Sequence, residues 1–143
     1  MRLAIASDHG GLNLKAAIAT HLLGRGFSIA DLGPMSAESV DYPDYAHDLC
    51  RRLLAGEFDR GILVCGTGQG MAMSANRHPG LRAAVVSDVF SAQMATLHND
   101  ARVLCLGERV VGPGLGLLLV DAWLDAEFEG GRHARRVGKI DLS

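Results

Sequence analysis

The sequence predicts a Rossmann-like three-layer α/β sandwich: a five-stranded parallel sheet, helices on both faces and a short C-terminal helix. Two observations carry this expectation. Short apolar runs alternate with longer segments whose apolar residues recur every three or four positions, giving strand then helix five times in succession. Glycines and prolines fall between these segments, where turns are needed, and no repeat, linker or low-complexity tract interrupts them. At 143 residues and 48% hydrophobic content, the chain can bury a core as a single domain over residues 1–143.

Arg2–Ser7 reads as the first strand, Asp8-His9-Gly10-Gly11 as its loop, and Leu14, Ile18 and Leu22 as the apolar stripe of the first helix. Gly24 to Gly26 ends that helix, and Phe27–Leu32 is the second strand. A loop from Gly33-Pro34 runs through Asp41-Tyr42-Pro43 to a helix over Tyr45–Leu54. Gly61–Val64 is the third strand, followed by a glycine loop and a helix from about Met71 to Asn76. Arg82–Val86 and Arg102–Leu106 are the last two strands, with a helix over Asp88–Leu97 between them. Gly112-Pro113-Gly114 opens a helix to about Glu127, and Gly130-Gly131 leads into the short terminal helix.

Composition narrows the function classes. The net charge of −2 gives no electrostatic reason to bind nucleic acid or a membrane surface. The longest apolar run, around Leu115–Val120, is too short to span a bilayer, and the N-terminus lacks the apolar core of a signal peptide. Three cysteines without a C-x-x-C pair argue against disulfides and a structural zinc site, so a reducing cytoplasm is expected. Twelve of the fourteen basic residues are arginine, the side chain suited to bidentate phosphate binding.

The stretch Gly61-Ile62-Leu63-Val64-Cys65-Gly66-Thr67-Gly68-Gln69-Gly70-Met71-Ala72 concentrates the chemistry. It places Cys65 at the carboxyl end of a strand, where open parallel sheets bind their ligands. The glycines bare backbone N–H groups at a helix entry, which suits an anion and favours a thiolate. The plainer reading makes Cys65 a small buried hydrophobe, and that reading is preferred for Cys50 and Cys105. A phosphatase-type Cys-x5-Arg loop fails because Met71 stands where arginine is needed. A dinucleotide G-x-G-x-x-G fails at the same residue, although Asp88 lies at the distance of a ribose-binding acid.

Elsewhere, Asp8 and His9 end the first strand, facing the same crevice as Cys65 or merely capping a helix. His98, before Asn99 and Asp100, is either a partner for a helix dipole or a general acid. Arg132 and Arg136 share one helix face behind a Gly-Gly turn, as solvated surface or as a phosphate clamp that Arg109 could join. No His/Cys/Asp/Glu set shows metal-ligand spacing, so no metal is expected.

Taken in order, Asp8-His9-Gly10-Gly11, Asp41-Tyr42-Pro43, Cys65-Gly66-Thr67-Gly68-x-Gly70, Ala75-Asn76-Arg77, Ser91-Ala92, His98-Asn99, Gly107-x-Arg109-Val110 and Gly130-Gly131-Arg132-His133-x-x-Arg136 resemble the type B ribose-5-phosphate isomerase family, related to galactose-6-phosphate isomerase subunits. The resemblance runs from Ile5 to about Val137. It implies a cofactor-free aldose–ketose isomerase that interconverts ribose 5-phosphate and ribulose 5-phosphate through an enediolate. It implies Cys65 as the base between C1 and C2, because Gln69 occupies the position where some members carry a glutamate base. It further implies Gly66, Thr67, Gly68, Gln69 and Gly70 around the enediolate and His98 as the ring-opening acid, assisted by Asp8. Thr67 and Tyr42 would line the site, Asn99 would bind a sugar oxygen, and Arg132, Arg136, His9 and Arg109 would hold the phosphate. The family is dimeric with sites shared across the interface, and the short tail after Arg136 puts tail-mediated tetramer contacts in question. Two other readings stay open: a six-carbon substrate such as allose or galactose 6-phosphate, and a non-catalytic nucleotide-binding module.

Overall fold

A computed structural model describes residues 1–142. Five strands, β1 (Arg2–Ser7), β2 (Ser28–Asp31), β3 (Arg60–Cys65), β4 (Ala83–Val85) and β5 (Val103–Gly107), form one sheet in the order β2-β1-β3-β5-β4. Every pairing is parallel, as expected. The helices are α1 (Leu12–Gly24), α2 (Tyr42–Leu54), α3 (Gln69–Ala75), α4 (Val89–Leu97), α5 (Pro113–Asp125) and α6 (Arg132–Val137). A single 3-10 turn over His9–Gly11 joins β1 to α1.

The three central strands are buried on both faces, which is why β1, β3 and β5 read as nearly unbroken apolar runs instead of alternating ones. Alternation decides which layer each side chain enters. Leu3 and Ile5 pack with α1, α4 and α5 around Trp123, while Ala4, Ala6, Leu63 and Cys105 pack with α2 and α3. Small residues allow close approach on the second face: a Cβ at Gly61 would sit 2.5 Å from a Leu49 methyl.

Several boundaries differ from the sequence reading. Helix α2 starts at Tyr42 instead of Tyr45, with Pro43 in its first turn, where a missing N–H costs no hydrogen bond and the fixed φ suits a helix. Helix α3 starts at Gln69, two residues before Met71, because left-handed Gly68 (φ 81°) turns the chain directly into the helix. Strand β4 shrinks to Ala83–Val85 at the sheet edge, where the Asn76 side chain donates to Ala83 O at 2.9 Å and accepts from Ala83 N–H at 2.8 Å. Helix α5 stops at Asp125, earlier than Glu127.

The order of strands positions the site. The chain runs from β1 to one neighbour, β2, and then crosses to the other, β3, so β1 and β3 flank the switch point of the sheet. Their carboxyl ends leave a crevice between them.

Candidate active site

Two loops meet at that crevice. After β1, Asp8 Oδ1 accepts the Gly10 N–H at 2.8 Å, and Asp8 N–H donates to Val64 O at 3.1 Å. Asp8 therefore caps the 3-10 turn while standing beside β3. Gly11 must be glycine, since a Cβ would meet the Val64 carbonyl at 2.7 Å. After β3, Cys65 ends the strand at 5% exposure, and its Sγ accepts the Gly68 N–H at 3.1 Å. An N–H aimed at sulfur complements a negatively charged thiolate.

The end of β5 locks this loop from behind. Glu108 N–H donates to Cys65 O at 2.9 Å and Arg109 N–H to Gly66 O at 3.0 Å. Glu108 also accepts the Leu14 N–H through Oε1 at 2.6 Å, which fixes the start of α1. The Arg109 side chain passes Gly66, with Cδ 3.7 Å from where a Cβ would stand. Tyr42 packs over Gly70, where a Cβ would overlap its ring.

The result is an open cleft of about 700 Å³ lined by Asp8, His9, Tyr42, Cys65, Gly66 and Thr67, and bordered by the loop of Ser39, Val40 and Asp41. His9 joins that loop through Nδ1, which accepts the Val40 N–H at 3.2 Å. Asp41 opens the Asp41-Tyr42-Pro43 motif, but Ser39 and Val40 carry no signal in the sequence, because loop residues have no periodicity. A carboxylate, an imidazole and a thiol around one cleft suit proton transfer on a small oxygenated ligand.

Cys50 and Cys105 are fully buried. Burial pushes the Cys50 thiol up to about 11 and the Cys105 thiol well above its ordinary value, so both remain protonated core side chains as expected.

The remaining predicted residues lie elsewhere. His98 caps the carboxyl end of α4, just before β5 begins, at the amino edge of the sheet and away from Cys65. Arg82 anchors the following turn, donating to Asn99 O at 3.1 Å and pairing with Asp100 Oδ2 at 3.3 Å, while Asp100 takes a left-handed conformation (φ 47°). Helix α6 brings its own residues to this edge: the His133 ring stacks on the His98 ring at 4.2 Å between centroids, tilted by only 8°. Glu129 donates its N–H to Leu97 O at 3.0 Å and turns its carboxylate to both rings, 3.9 Å from His98 Nε2 and 3.6 Å from His133 Nε2. Arg132 and Arg136 project from the same short helix into solvent.

Thus one chain brings together Asp8, His9, Tyr42, Cys65, the glycine loop and Arg109, and separately gathers His98, Asn99, Arg132 and Arg136. The cluster of His98, Glu129 and His133 has its ligand-capable atoms within 4.8 Å of one another. Sequence reasoning missed it, although Glu129 and His133 are spaced i, i+4; the third member is distant in the chain.

A strand-switch crevice with a thiol and carboxylate is the site of a small-molecule α/β enzyme. The ribose/galactose isomerase family model matches residues 3–140. Ribose-5-phosphate isomerase B of Escherichia coli (strain K12) is 48% identical over 139 residues, 97% of this chain and 93% of that protein. The ribose-5-phosphate isomerase B structure from Clostridium thermocellum is 54% identical, with a TM-score of 0.96 over 98% of this chain and 95% of that one. The isomerase B structure from Mycoplasma genitalium with bound ribulose-5-phosphate is 44% identical, with a TM-score of 0.93 over 97% and 93%. The chain belongs to the ribose/galactose isomerase family and is an aldose–ketose isomerase. Among the described residues, no helix is long and apolar enough to cross a membrane.

Proposed function

We propose that the chain, acting as one domain in the cytoplasm, interconverts D-ribose 5-phosphate and D-ribulose 5-phosphate, with Cys65 as the base. Carrying this reading is the position of the Cys65 sulfur, in the cleft and under the Gly68 N–H, in a chain with this family membership. The thiolate removes the proton from C2 of the open-chain aldose and returns it to C1, while the proton of the C2 hydroxyl passes to O1, so that C2 becomes the carbonyl. Between these steps the substrate is an enediolate, whose charge the N–H groups of Gly66–Gly70 offset, beside Thr67. Preorganised donors of this type are each worth about 3–4 kcal/mol in other enzymes. The reaction moves protons only, so its electron balance needs no redox cofactor.

The aldose begins as a furanose. His98 donates a proton to the ring oxygen as the C1–O bond breaks, and Asp8 takes the proton of the C1 hydroxyl. The phosphate is held by Arg132 and Arg136 with His9 and Arg109, and Asn99 binds a sugar hydroxyl. Because His98, Asn99, Arg132 and Arg136 stand at the other edge of the sheet, they come from a second copy, and the working unit is a homodimer with shared sites. This reading leaves no role for a nucleotide, since Met71 breaks the dinucleotide fingerprint.

The test compares kcat/KM for ribose 5-phosphate, ribulose 5-phosphate, allose 6-phosphate and galactose 6-phosphate, using wild type and Cys65→Ala. The five-carbon pair is expected to lead and Cys65→Ala to lower kcat by at least about 10²–10⁴-fold. Preference for a six-carbon substrate, which the family's galactose branch makes the second reading, would move the assignment there.

A further inference from the structure

The cluster at the end of α4 has a feature that the isomerase reading leaves unused. His133 is buried, its side chain 9% exposed, and its Nε2 is a buried polar atom with no hydrogen-bond partner. Such an atom is costly unless it serves something. A shared metal ion fits poorly: a cation needs both ring nitrogens to converge within their ring planes, whereas stacked, nearly parallel rings aim them side by side. Arg132 and Arg136 add positive charge close to His133.

The geometry suits proton placement better. Resting on the reading of His98 as ring-opening acid, we infer that His133 and Glu129 are positioning residues for His98: the His133 ring is the platform that holds the His98 ring face, and Glu129 is the carboxylate that orients its Nε2–H. The proton delivered to the sugar then leaves from Nδ1. A carboxylate that orients an imidazole and stabilises its charged form has the logic of hydrolase triads. Glu129 is half exposed, so its side chain has room to rotate across the 3.9 Å that separates it from His98 Nε2. Its backbone bond to Leu97 O keeps the carboxylate at the end of α4 throughout. Burial, followed by His98 and Arg132, holds the proton affinity of His133 below that of an ordinary histidine. Charge on the facing His98 ring opposes a second proton on this platform.

The experiment measures kcat, KM and thermal midpoint on ribose 5-phosphate for His133→Ala, His133→Phe and Glu129→Gln, each alone and in a His98→Ala background. His133→Ala and Glu129→Gln are expected to lower kcat about 10–100-fold, as small misplacements of an acid do, with KM within about twofold of wild type. His133→Phe, which restores a flat ring, should recover most of the loss at His133. In the His98→Ala background none of the three should cost anything further, because they act through His98. Unchanged kcat in His133→Ala and Glu129→Gln, or losses that add to that of His98→Ala, would overturn the inference while leaving the isomerase reading standing. Full activity in His98→Ala itself would instead remove the ring-opening role on which the inference rests.

Discussion

Cys65 and His98 stand at opposite edges of one sheet. Cys65 pairs with Gly107 at the end of β5, whereas His98 closes α4 just before Val103, where β5 begins. The strand between those edges advances roughly 3.3 Å per residue, so the two groups are separated by about 13 Å of sheet before loops are counted. No rotamer change closes that gap. If both act on one substrate, two chains supply them.

Subunit mixing tests this directly. Cys65→Ala and His98→Ala proteins are each expected to keep only a small, measurable fraction of wild-type turnover on ribose 5-phosphate. Dissociated and reassociated at equal concentration, half the dimers are mixed, and each mixed dimer holds one intact site of its two. Activity should return to about a quarter of wild type. No recovery in a demonstrated mixed dimer would place both residues in one chain's site.

The three thiols should differ sharply in reactivity. Cys65 lines the cleft, while Cys50 and Cys105 are buried and held protonated by burial. Iodoacetamide on the native protein should modify Cys65 first, with loss of turnover parallel to its modification and protection by ribulose 5-phosphate. Cys65→Ala should lower kcat at least about 10²–10⁴-fold, the usual contribution of a positioned base. Modification of Cys65 to completion with turnover intact would remove it from the mechanism.

Much of this was legible in the chain because the signals were local. The apolar runs of β1, β3 and β5 announced buried parallel strands, and Cys65 before alternating glycines announced a ligand loop at a strand end. The resemblance brought His98 and the arginines to attention but could not place them, since edge-to-edge separation is a property of the assembled sheet. Helix α2 began three residues early because Pro43 reads as a loop residue yet sits well in a first helical turn. His133 stands in the Gly130-Gly131-Arg132-His133 motif without a role that the sequence can give it; its burial and its stack on His98 exist only after α5 and α6 fold back onto α4.

Gly68 should tolerate no side chain. Its φ of 81° favours glycine, and a Cβ would lie 2.8 Å from Val85 Cγ2 and 3.0 Å from the Leu106 carbonyl carbon. Gly68→Ala is expected to cost about 1–3 kcal/mol in urea unfolding and to lower kcat by displacing the N–H that faces Cys65. Gly56 shares the φ of 81° but has open space around it. Gly56→Ala should therefore lose stability through backbone conformation alone and keep wild-type kcat. Equal kcat losses in both variants would show that the effect at Gly68 is not local to the thiol.

Acid should loosen the fold through His78. Its Nε2 lies 2.7 Å from His47 Nδ1 on α2, a pair that accommodates one proton between the rings but not one on each facing nitrogen. Burial above all, then His47 and Arg51, lowers the proton affinity of His78 in the folded chain. Unfolded, the same side chain returns to a pKa of about 6.5. Between the lowered folded value and that ordinary one, the unfolded state binds more protons, so stability rises with pH across the window and falls as pH drops through it. The thermal midpoint should hold near pH 7 and decline below about 6.5. His78→Gln should flatten that decline, leaving the slope that comes from His133, which burial lowers in the same direction. Identical midpoint-versus-pH curves for wild type and His78→Gln between pH 5 and 7.5 would show that the pair titrates without consequence for folding.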